Sequence, residues 1–146
     1  MAKPAHQYET TVEWTGELRG ALSAPKRPVV SIGTPPEFGG TEDVWSPEHL
    51  CVAAVNACMM ATFLAIATNS KLRFSKYSST AVGTLEQVDE ESGPVISRIV
   101  VKPRLTIGPD VDRGRAERIL RLVEERCYVS NSMTSEVKLE PEIVVQ

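Results

Sequence analysis

The stretch from Ser46 to Thr68 constrains this chain more than any other. It reads Ser-Pro-Glu-His-Leu-Cys-Val-Ala-Ala-Val-Asn-Ala-Cys-Met-Met-Ala-Thr-Phe-Leu-Ala-Ile-Ala-Thr. Ser46 suits a helix N-cap, because its hydroxyl can take an orphan backbone N–H. Pro47 fits the first helical position, where no N–H is needed. From Leu50 to Ala67 only Asn56 and Thr62 interrupt the apolar run. The run is rich in Ala, Leu and Met, all strong helix formers. A helix apolar on every side has no stripe to offer water, so it is expected at the centre of the fold, wrapped by other elements. At about 18 apolar residues it nears the lower limit for a bilayer span. Its alanine content, the central Asn56 and the lack of a flanking basic cluster weigh against a span.

A chain of 146 residues is long enough for a real core and is expected to form one domain. Its net charge of -3 is modest and its Lys and Arg are scattered. Neither a nucleic-acid footprint nor a polybasic membrane patch is expected. The opening Met-Ala-Lys-Pro-Ala-His-Gln has no apolar core of a signal peptide. Three cysteines without such a signal point to an intracellular, cytoplasmic chain with buried or reactive thiols rather than a disulfide framework. There is no C-x-x-C pair, and His6 and His49 do not make a ligand spacing, so neither a metal nor a cofactor is expected.

Tyr8 to Thr15, Leu18 to Ser23 and Val29 to Ile32 read as three strands, with turns at Gly16-Glu17 and Ala24 to Pro28. Gly33 to Val44, with three glycines and two prolines, reads as a loop without regular structure. A loop running into a helix N-terminus is a common place for a site. After the central helix, Leu72 to Glu86 and Val95 to Ile107 read as a long antiparallel hairpin around Asp89 to Pro94. Pro103 in its second arm predicts an edge position or a bulge. Pro109 to Arg126 reads as a second helix capped by Asp110 or Asp112. Ala116, Ile119, Leu120 and Val123 form its buried stripe and its Arg and Glu residues a solvated face. Glu136 to Val145 is a last strand, kinked or at an edge at Pro141. The order is βββαββαβ: an α+β domain with mostly antiparallel sheet. One small sheet covers only one side of an all-apolar helix, so a homodimer with the two central helices near its interface is expected.

Cysteine is the residue type that could carry chemistry. Buried, it is a small hydrophobe; ionised, it is a nucleophile. Cys51 and Cys58 lie on one helix face, two turns and about 10 Å apart, too far for a direct disulfide. Cys51 reads as a core residue, while Cys58 and Cys127 fit either role. Val55, Met59, Met60 and Phe63 read equally well as core or as an apolar lining.

Three segments carry a resemblance. Ser46-Pro47-Glu48-His49-Leu50 followed by Ala57-Cys58 is similar to the start of the central helix of the OsmC/Ohr family, the osmotically inducible and organic-hydroperoxide-resistance thiol peroxidases. Thr34 to Gly40 resembles the loop before that helix in the Ohr branch. Cys127-Tyr128-Val129-Ser130-Asn131-Ser132 resembles the segment around the family's second cysteine, where Pro, rather than Tyr128, usually follows the thiol. The resemblance implies an intertwined α+β homodimer with the site at the subunit interface. It implies Cys58 as peroxidatic thiol and Cys127 as resolving thiol, organic hydroperoxides as substrates, and a dithiol reductant such as a lipoyl or thioredoxin-like protein. It also implies an Arg–Glu pair beside the thiolate. Glu48 matches the Glu, about 15 Å along the helix from Cys58. Arg19 is the candidate Arg, one position out of register, with Arg27 in reserve. A hydrophobic-ligand binder and a redox sensor are the alternatives.

Overall fold

The computed structural model describes residues 3–146. The chain divides into two compact units, one ending at Leu50 and one starting at Cys51.

In the first unit, β1 (Thr11–Gly16), β2 (Arg19–Ser23) and β3 (Val30–Gly33) form an antiparallel sheet in that order. The expected first strand begins at Thr11 rather than Tyr8, because its pairing starts at Thr11 opposite Ser23. The turn at Gly16 and Glu17 takes positive φ at both residues. The loop that follows is not wholly irregular, as its composition had suggested. Pro36–Phe38 makes a 3-10 turn, because Pro36 supplies a preset helical φ and Gly39 closes it at φ 87. Gly40 then passes so close to the chain that a Cβ there would lie 1.6 Å from the Thr34 carbonyl oxygen. The loop delivers Ser46, whose buried hydroxyl accepts the His49 N–H at 3.1 Å and caps the long helix α1 (Pro47–Asn69), as expected.

In the second unit, β4 (Lys76–Glu86) and β5 (Val95–Ile107) form the long antiparallel hairpin. Helix α2 (Arg113–Arg126) is capped by Asp112, which accepts the Gly114 N–H at 2.9 Å. The last expected strand is two short ones, β6 (Glu136–Leu139) and β7 (Glu142–Val145), broken at Pro141, so the order is βββαββαββ. Both run parallel to β5. Pro103 is therefore neither at an edge nor in a bulge but inside the central strand. It is tolerated because β6 pairs up to Val101 and β7 only from Arg104, so the break between them lies opposite the proline.

Val55, Met59, Phe63 and Ala67, four residues apart, form one buried stripe on α1. They join Ala116, Ile119, Leu120 and Val123 of α2 and Ile99, Val101, Leu105 and Ile107 of β5 in one core. Phe63 stacks on Tyr77 at 4.9 Å and meets Phe74 edge-on at 5.0 Å. The Glu124 carboxylate accepts the Leu139 N–H at 2.8 Å, tying α2 to β6. Within the chain only this stripe of α1 is closed; Ala54, Ala57, Met60, Ala61, Leu64 and Ala65 are exposed.

Candidate active site

Cys58 stands one turn below Thr62 on α1. The Thr62 hydroxyl donates to the Cys58 carbonyl at 2.8 Å and lies 3.9 Å from its Sγ. Cys127 ends α2, where the backbone turns extended and the helix stops. Its carbonyl accepts the Ser130 hydroxyl at 3.1 Å and the Asn131 N–H at 3.0 Å. Asn131 and Ser132 close the same turn with side-chain bonds to the Glu125 and Tyr128 carbonyls. These bonds use the carbonyls of the turn and leave the N–H groups of Tyr128 and Val129 to point elsewhere.

Both act on the Cys58 thiol. Burial by itself would push the Cys58 thiol up. The Val129 N–H, the Cys127 thiol, the Thr62 hydroxyl and the Tyr128 N–H outweigh it, so the thiol is held below its ordinary value. Burial pushes the Cys127 thiol the other way, above its ordinary value, and the neighbouring Cys58 adds to that rise against the lowering bonds of Ser130. Cys127 is fully buried, Cys58 half-buried, and both are free thiols. The fold thus brings together two sulfurs 69 positions apart in sequence and splits their ionisation. Cys58 is the more readily ionised of the two and Cys127 the less.

The expected charged residues Glu48, Arg19 and Arg27 lie in the first unit. Glu48 is in the first turn of α1, and its Oε1 is buried without a hydrogen-bond partner. Arg19 sits on Asp43, with two hydrogen bonds of 3.1 Å between guanidinium and carboxylate, and Asp43 also accepts the Thr41 hydroxyl at 2.6 Å. Those two partners, Thr41 first, hold the Asp43 carboxyl below the usual range. Arg27 donates to the Pro25 carbonyl of its own turn at 2.8 Å. Cys51 is half-buried and free. Val55, Met59 and Phe63 are sealed in the core and line nothing; Met60 faces outward.

Sequence reasoning missed Asp43, Val129 and the Tyr128 N–H. The first was hidden because its partner is 24 residues away. The other two act through backbone atoms that residue type does not reveal. The absence of proline at 128 was the one usable signal.

The family model described as OsmC-like protein matches residues 40–142. This chain belongs to the OsmC-like family. Glu48, Cys58 and Cys127 fall inside the matched segment and Arg19 outside it. Among solved structures, an OsmC-like protein of unknown function from Vibrio cholerae superposes with a TM-score of 0.84 at 20% identity, covering 94% of this chain and 99% of its own. An organic hydroperoxide resistance protein OsmC from Legionella pneumophila gives 0.74 at 19%, covering 97% and 99%. The organic hydroperoxide resistance protein OhrB of Bacillus subtilis gives 0.67 at 18%, covering 94% and 98%. At these identities the likeness is one of fold. No curated protein matches the sequence.

Proposed function

We propose that this OsmC-like protein is a thiol peroxidase that reduces organic hydroperoxides to alcohols. The observation that carries the reading is the adjacent pair Cys58 and Cys127, one thiol lowered and the other raised. The Cys58 thiolate attacks the distal peroxide oxygen. The O–O bond breaks, the alkoxide leaves and takes a proton as alcohol, and Cys58 becomes a sulfenic acid. The Cys127 thiol attacks that sulfur, water departs, and a Cys58–Cys127 disulfide remains. An external dithiol, from a lipoyl or thioredoxin-like protein, then restores both thiols by exchange. The raised Cys127 keeps its proton until Cys58 is oxidised, which separates the two steps.

Glu48 and Arg19 are the proposed polar partners of the thiolate. The unpartnered Glu48 oxygen supports this, since a half-buried carboxylate without a donor calls for a cation. The working form is a homodimer, because the outward face of α1 is apolar, and the setting is the cytoplasm.

One equivalent of cumene hydroperoxide is expected to remove two thiols per chain together, with peptide mapping placing the bridge between Cys58 and Cys127. Cys58→Ser abolishes the loss and Cys51→Ser leaves it intact. Loss of one thiol, or a bridge to Cys51, overturns the scheme.

A further inference from the structure

The scheme proposed above ends in a disulfide, and a disulfide offers an external thiolate two sulfurs to attack. The attacker comes along the S–S line from behind the sulfur it takes, and the other sulfur leaves with the electron pair. Acidity and access decide which sulfur is taken, and here they disagree.

Acidity favours attack on Cys127. Cys58 is the more readily ionised sulfur and so the better leaving group. Access favours attack on Cys58. Cys127 is 0% exposed and belongs to the same buried cluster as Ala116, Ile119, Leu120 and Val123. The turn that follows it is tied down: Ser130 and Asn131 bond its carbonyl, and the Asn131 and Ser132 side chains bond the Glu125 and Tyr128 carbonyls. Reaching that sulfur means opening the core or breaking the turn. Cys58 is only half-buried. Its helix neighbours toward the outward face are Ala54, Ala61 and Ala65, which with Leu64 lie along the exposed seam of α1. Methyl side chains screen a sulfur little, so a slender thiol can reach Cys58 from that side. The magnitudes favour access. With Brønsted slopes of about one half, one unit of thiol pKa changes an exchange rate by only about threefold. Opening a packed core is rarer by several powers of ten.

We infer that the external reductant enters at Cys58: its thiolate attacks the Cys58 sulfur, the Cys58–Cys127 bond breaks, and Cys127 departs with the electron pair. Cys127 then takes up a proton in its buried site, and the reductant stays on Cys58 as a mixed disulfide. A dithiol completes the exchange with its second thiolate, which attacks the reductant's own sulfur, closes the reductant's disulfide and frees Cys58 as thiolate. In that step the readily ionised Cys58 is the leaving group. A monothiol has no second thiolate in place, so it leaves Cys58 capped until another molecule arrives. The inference rests on the disulfide of the proposed function. It adds the sulfur through which that disulfide is reset, and with it Cys58 as the site of S-thiolation.

To test it, the bridge is formed in the full chain with diamide, so that nothing depends on turnover of a hydroperoxide. Excess 2-mercaptoethanol is added, samples are quenched at short times with N-ethylmaleimide at mildly acidic pH, and the peptides are mapped. The 2-mercaptoethanol adduct is expected on Cys58 in at least about tenfold excess over Cys127. Ser130→Ala combined with Asn131→Ala loosens the turn, and the Cys127 share is expected to rise severalfold. Adduct mainly on Cys127 in the parent, or on neither sulfur while the bridge is lost, overturns the inference and leaves the peroxidase reading standing. An unchanged Cys127 share in the double variant also overturns it; should that variant fail to fold, the parent decides alone. If diamide cannot bridge the pair, the inference and the peroxidase scheme fall together. If cumene hydroperoxide alone cannot, only the peroxidase reading falls.

Discussion

At position 128 an ordinary residue does what the family's usual proline cannot, because a proline has no N–H to give. The Tyr128 N–H is one of four contacts that hold the Cys58 thiol down. Its side chain is 83% exposed, so the phenol itself is free to change. Tyr128→Phe is expected to leave the pH profile of Cys58 alkylation by iodoacetamide in place. Tyr128→Pro should move the profile to higher pH and slow alkylation severalfold at pH 7, where the thiolate is the reacting form. An unmoved profile would show that Val129 and Thr62 suffice. The sign of the pH dependence follows from the same shift: a lowered Cys58 gains reactivity as pH rises through its folded value and is already ionised where a free thiol is still protonated. Arg19 belongs to the same scale. Arg19→Met should slow peroxide-driven thiol loss at least about tenfold if the guanidinium orients the peroxide, measured in a stopped-flow assay with cumene hydroperoxide. Asp43→Asn, which loosens the grip on Arg19, should not slow it. The two thiols were legible in the sequence because cysteine is rare and its chemistry is in its side chain. The backbone donors were not, since any residue but proline supplies the same N–H.

Among the elements, β4 passes close to α1 at Gly83. A Cβ there would lie 2.5 Å from the Val52 Cγ2. Val52 is β-branched and held to one rotamer on a helix, so it cannot swing aside. Gly83→Ala is therefore expected to destabilise the protein by about 1–3 kcal/mol in urea unfolding. Val52→Ala in the same chain should recover most of that loss, because it removes the methyl the new Cβ strikes. Absence of rescue would place the strain in the strand backbone instead. The long periodic elements could be read from residues alone: α1 from its cap and apolar run, α2 from its stripe, and β4 and β5 from β-branched runs around an acidic turn. What could not be read is pairing across distance. Pro103 looks like an edge marker until Pro141, 38 positions later in the sequence, breaks its neighbour strand opposite it. Each proline makes sense only with the other in view.

For the whole molecule, the unfinished surface of α1 is the governing fact, and a single charge can test it. Leu64 is 39% exposed on the helix seam. In an isolated chain Leu64→Glu would put a carboxylate into water at little cost. In a homodimer it would bury two like charges against an apolar partner face. The variant is expected to dissociate at micromolar concentrations where the parent does not, as read by sedimentation velocity. Its urea midpoint should also lose any dependence on protein concentration. The thiol pair makes a separate demand. Cys58 and Cys127 lie in one compact unit of one chain, so the peroxide-formed bridge should be intrachain. The oxidised protein should run at about 16.0 kDa on a non-reducing gel, in the parent and in Leu64→Glu alike. If the charged variant dissociates and still forms the bridge, while its rate with cumene hydroperoxide falls, then the second subunit supplies the groups that orient the peroxide. If the rate is unchanged, those groups belong to the same chain, and the partner's part is only to cover the helix.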